Sequence, residues 1–122
     1  MRRCVQLVAI VVLLSISAEP ICAAESLDES IKYLLDYIAK SDATFIRNGQ
    51  AHTPQEAANH IEAKYEHFKN EIKTPEDFIR LSASKSLLTG QPYLVRTRDG
   101  KQRRLDEWLV EALKEHQKES GR

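Results

Sequence analysis

The sequence predicts an α+β fold, mostly helical, in which about four helices pack on a small antiparallel β-sheet. Three observations lead there. Apolar residues recur at three- and four-residue spacing in four separate stretches, the signature of amphipathic helices. Two short apolar runs, 44–47 and 92–96, each precede a turn pair, Asn48-Gly49 and Asp99-Gly100. Both cysteines, Cys4 and Cys22, lie within the first 24 residues, so beyond them stability must come from packing rather than disulfides.

Residues 1–24 have the three parts of a cleavable secretory signal. Arg2 and Arg3 supply the positive start, 5–16 form an apolar run broken only by Gln6 and Ser15, and Cys22-Ala23-Ala24 offers small residues to a peptidase. About 12 apolar residues span only about 18 Å as a helix, short of a bilayer core of about 30 Å, so no stable membrane anchor is expected after cleavage. Glu19-Pro20-Ile21 is not the leucine-and-small-residue box that precedes a lipidated cysteine, and the paired arginines lack the surroundings of a twin-arginine signal. The general secretory route and a periplasmic destination follow as expectations. Cleavage after Ala24 would leave one domain, 25–122, of 98 residues with formal charge −1. That balance speaks against a nucleic-acid binder, which carries a basic excess.

Ser26, with Glu29 three residues on, opens the first helix, whose apolar row is Leu27, Ile31, Leu34, Leu35 and Ile38. Thr44-Phe45-Ile46-Arg47 reads as a strand ending in the Asn48-Gly49 turn, a pair suited to the positive φ values of type I′. Thr53-Pro54 starts the second helix, which runs to about Glu71 with Ala57, Ile61, Tyr65, Phe68 and Ile72 on one face. Thr74-Pro75-Glu76-Asp77 repeats the start signal for a third helix carrying Ile79, Ala83 and Leu87 and closed by Gly90. Pro92-Tyr93-Leu94-Val95-Arg96 is the second strand, expected beside the first. The last helix begins near Asp106 and buries Leu105, Trp108, Leu109, Ala112 and Leu113, while the charged stretch 114–122 is expected to fray. Tyr65, Phe68, Phe78, Trp108 and Leu109 are assigned to the core.

Chemical motifs are sparse. Ser82-Ala83-Ser84-Lys85 has the Ser-x-x-Lys spacing of acyl-serine enzymes, but the companion motifs of that chemistry are missing. The histidines His52, His60, His67 and His116 include no i, i+4 pair, and with no cysteine beyond residue 24 a structural zinc site lacks its usual ligands. No metal and no cofactor are expected. Arg96, Arg98, Lys101, Arg103 and Arg104 form a basic cluster around the second turn, either a patch for phosphates or head groups or the solvated face of a hairpin.

The motifs Thr44-Phe45-Ile46-Arg47-Asn48-Gly49, His52-Thr53, Glu76-Asp77-Phe78-Ile79, Ala83-Ser84-Lys85-Ser86, Thr89-Gly90 and Pro92-Tyr93-Leu94-Val95 occur in the order and spacing of the YfeK-like family. The chain resembles that group of small exported bacterial proteins of unknown function over nearly all of residues 25–122. The resemblance implies a Gram-negative periplasmic setting and supplies no activity. Arg47, Asn48, His52, Ser84, Lys85, Ser86 and Tyr93 match its motifs and, with Arg96, form the candidate binding surface; no catalytic residue is assigned. The expected role is a non-enzymatic envelope protein binding a protein, peptide or cell-wall fragment. The alternatives are a small envelope hydrolase using His52 with Ser84 or Lys85, and a polyanion or lipid head-group binder acting through the basic hairpin 96–104.

Overall fold

A computed structural model describes residues 25–121; the proposed signal and both cysteines lie outside them. The described chain is α+β, with four helices and a four-stranded antiparallel sheet. Helix α1 (Leu27–Ala39) starts where Ser26 Oγ accepts the Glu29 N–H, and it buries Ile31, Leu34 and Ile38. Strand β1 (Thr44–Arg47) turns through Asn48 (φ 52) and Gly49 (φ 75) into β2 (Gln50–His52). Both turn residues sit in the left-handed region, as type I′ requires. Helix α2 (Pro54–Phe68) is capped by the Thr53 hydroxyl and ends in a 3-10 turn, Lys69–Glu71. Helix α3 (Pro75–Ser82) has a reciprocal capping box between Thr74 and Asp77. Strands β3 (Leu94–Arg96) and β4 (Gln102–Arg104) lead directly into α4 (Leu105–Ser120).

The sheet order is β2-β1-β3-β4, so the strand after Tyr93 does pair with the one at Thr44, in the register Thr44↔Arg96, Phe45↔Val95 and Ile46↔Leu94. Phe45 and Val95, opposite one another, are buried and share one core with α1–α4. Of the five residues assigned to that core, Phe78 and Leu109 are sealed, whereas Tyr65, Phe68 and Trp108 pack against it half-buried. Trp108 lies at its edge, with ring centroids 4.7 Å from Tyr37 and 5.9 Å from Phe45.

Two helix ends differ from expectation. Helix α3 stops at Ser82, not Gly90, and Leu87 leaves the apolar row to face solvent. The break is local in form: the Ala83 N–H and the Ser84 hydroxyl both go to the Ile79 carbonyl, and 84–93 then folds back on itself through the bridge Lys85↔Pro92. Gly90 (φ 73) closes the turn within that loop, its N–H donating to the Ser86 carbonyl at 2.9 Å. At the other end of the chain, α4 continues to Ser120 instead of fraying after Lys114. His116 pins it, stacking on Tyr33 at 3.7 Å and placing Nε2 2.6 Å from Glu25 Oε2.

Candidate functional site

The loop 84–93 and the β1–β2 turn are joined by one side chain. Asn48, held out by its left-handed backbone, donates from Nδ2 to Ser86 Oγ (3.2 Å) and accepts from Thr89 Oγ1 (2.6 Å). The loop is ordered within itself by Ser86 N–H to Gln91 O (2.9 Å) and Tyr93 N–H to Ser84 O (3.0 Å). A recess therefore has fixed walls: the hairpin turn on one side, the loop on another, and α2 as its floor.

Helix α2 contributes His60 and Lys64. Lys64 is 7% exposed, although it is a lysine. Its position explains this, because Ala57, Ile61, Lys64 and Phe68 follow at spacings of four, three and four on the face that α2 turns inward. The ammonium donates to the Lys85 carbonyl (2.7 Å) and to the Tyr93 hydroxyl (3.1 Å). Both acceptors are neutral. Burial pulls the Lys64 pKa down to about 8, helped by the positive charges of Arg47 and Lys85. His60 Nε2 lies 3.0 Å from the same Tyr93 oxygen. Burial, then Arg47, Lys64 and His52, lower the His60 pKa to about 4, so the ring is neutral at physiological pH. With Lys64 donating to the phenol oxygen, the phenol hydrogen is left for His60 Nε2. Burial raises the Tyr93 pKa, with Arg47 opposing, so the hydroxyl stays protonated.

The recess is an open hollow of ≈570 Å³, with Arg47, Lys64, Ser86 and Tyr93 inside and Leu87 and Leu88 at its lip. None of its lining residues is acidic. Arg47 is half-buried, and among the described residues neither it nor Lys64 forms an ion pair with a carboxylate. Ser86, 4% exposed, accepts from Asn48 Nδ2 and the Leu88 N–H, which leaves its own hydrogen to donate. Two cations, a hydroxyl and an amide thus converge where nothing negative meets them. Such a set can hold an anion with several charge-assisted hydrogen bonds.

Of the residues the sequence singled out, Arg47, Asn48, Ser86 and Tyr93 meet at this recess. Lys85 contributes its carbonyl while its side chain is exposed. His52 borders an adjoining apolar hollow behind Arg47, His60 and Tyr93, and its Nδ1 lies 3.2 Å from Glu56 Oε2. Ser84 bonds the Ile79 carbonyl and faces a different depression, between α3 and α4. In the Ser-x-x-Lys segment, Ser82 is sealed in the core and Lys85 is at the surface. Arg96 lies on β3 and donates to Gln102 at 3.2 Å. Of the other basic hairpin residues, Arg103 forms a two-bond pair with Glu111, Arg104 does so with Asp106, and Arg98 is 3.7 Å from Asp42. Carboxylates thus answer much of that patch's charge. Lys64 and His60 are the site residues the sequence reading missed. The available signal was a lysine in the apolar row of α2.

Among curated proteins the chain is similar to an uncharacterized protein, YfeK, of Salmonella typhimurium, with 45% identity over 64 residues. The match covers 52% of this chain and 53% of that protein, so it spans about half the length of the relative. No solved structure matches. The model of a family of unknown function, DUF5329, matches residues 25–117, which takes in every element described above except the end of α4, and the chain belongs to this YfeK-like family.

Proposed function

We propose that this domain is a non-enzymatic binding module of the cell envelope, whose recess receives an anionic group of a peptide, wall fragment or other envelope component. The observation that carries the reading is the pair Arg47 and Lys64, two cations converging on a hollow without an acidic lining residue. A buried ammonium with only neutral partners is costly to the free protein, and an anion in the recess relieves that cost. Binding is favoured over catalysis because His60 is committed to Tyr93, and the Ser86 hydroxyl bonds an amide and a main-chain N–H rather than a base.

Titration calorimetry with inorganic phosphate and with a small carboxylate-terminated peptide tests the reading. Saturable heat is expected from at least one of them, and Arg47→Ala should weaken it about tenfold or more, the loss of one charge-assisted hydrogen bond. The melting temperature should stay nearly unchanged. A large fall in melting temperature with no effect on binding would make Arg47 a brace between hairpin and loop instead.

Export through the leader 1–24 belongs to the same proposal. Mass spectrometry of the periplasmic fraction should find a chain beginning at Glu25. A chain beginning at Met1 would contradict export as proposed, and lipid on Cys22 would contradict cleavage after Ala24.

A further inference from the structure

We propose that the anion is a phosphate head group presented by a lipid surface, and that the loop 84–93 docks the domain there by inserting Leu87 and Leu88 beside it. The proposal rests on the recess being an anion site. Its independent observation is the exposure of those leucines, 63% for Leu87 and 93% for Leu88, the two exposed large hydrophobics of the described chain. Floppiness does not account for their position. They occupy a tight turn closed by Gly90 N–H to Ser86 O, anchored by Leu88 N–H to Ser86 Oγ and tethered through Thr89 to Asn48. The same turn forms the lip of the cationic recess, with the exposed Lys85 at its base.

Apolar side chains next to cations are what an anionic lipid surface selects. The leucines gain by leaving water for the acyl boundary, while the cations remain at the head-group level. A protein partner fits less well. Two leucines expose far less than the about 800 Å² that each side of a stable protein interface buries. Within the recess, Arg47 on β1, Lys64 on α2 and Ser86 on the loop bring donors from three separate elements, which suits a phosphate with several acceptor oxygens.

The test uses vesicles of phosphatidylcholine mixed with phosphatidylglycerol, vesicles of phosphatidylcholine alone, and soluble glycerol phosphate. The protein should co-sediment with the mixed vesicles, much less with the neutral ones, and should be released by salt. Leu88→Ser should reduce vesicle partitioning about tenfold, the value of one buried leucine side chain, yet leave glycerol phosphate binding intact. Arg47→Ala should weaken both. Binding of glycerol phosphate without vesicle binding overturns the membrane proposal and leaves the anion site standing; binding of neither overturns the membrane proposal and the phosphate specificity it rests on, and the carboxylate-terminated peptide then decides whether an anion site remains. Equal binding to the two kinds of vesicle would show that the cations take no part and would also overturn it.

Discussion

Lys64→Met is expected to weaken anion binding about a hundredfold while changing stability little at neutral pH. The binding loss follows from removing a charge-assisted donor of about 1.5–3 kcal/mol from the floor of the recess. The stability effect is a balance. Lowering the lysine pKa to about 8 from 10.5 means that holding the charged form in the fold costs on the order of 3 kcal/mol, which the substitution removes. Against this, the Lys85 carbonyl loses its partner, at about 1–3 kcal/mol. The pH dependence separates the terms. Between pH 8 and 10.5 the unfolded chain holds a proton on Lys64 that the folded chain has released, so wild-type stability should rise with pH relative to Lys64→Met. The raised Tyr93 pKa acts in the opposite sense above pH 10, so pH 8 to 10 is the window to measure. Anion affinity should fall above about pH 8, as Lys64 loses its charge. Denaturant melts of both proteins across this window suffice. A variant several kcal/mol less stable at pH 7, with an unchanged alkaline slope, would mean that Lys64 serves only to brace the loop.

Phe78→Ala is expected to cost about 3–5 kcal/mol, the usual result of emptying a sealed aromatic site. Phe78 is fully buried at the centre of α3, meeting Tyr65 of α2 edge to face at 5.8 Å. A helix of only eight residues is held by packing rather than by its own propensity. The loss is a large share of a total of about 5–15 kcal/mol. It should reach the recess too, because α3 leads within two residues into the loop that carries Ser86, Leu87 and Leu88. The denaturant midpoint checks it, and a loss below about 1 kcal/mol would contradict the packing described for α3.

What could be read from the sequence was governed by local chemistry. Ser26, Thr53 and Thr74 cap the helices they announce, and Asn48-Gly49 makes its turn, because in each case the partner lies within three residues. The end of α3 was not legible in this way. Ile79, Ala83 and Leu87 kept helical spacing and Gly90 offered a stop, but the loop is held by Asn48, 38 residues from Ser86 and 41 from Thr89. The end of α4 is similar: its charged tail reads as fraying until His116 meets Glu25 and Tyr33 across the fold. The candidate site was half visible. Family-matched motifs picked out Arg47, Asn48, Ser86 and Tyr93, whereas Lys64 and His60 sit in no such motif and become site residues only once α2 lies beneath the loop. The lysine in an apolar row was the one local hint.

The most direct test of the anion recess is a nitrogen–proton shift map of the labelled protein during titration with glycerol phosphate. Saturable shifts should gather at Arg47, Asn48, Lys64, Ser86 and Tyr93 and disappear in Lys64→Met. Shifts confined to the hairpin 96–104, or none at concentrations that saturate other phosphate sites, would contradict the account.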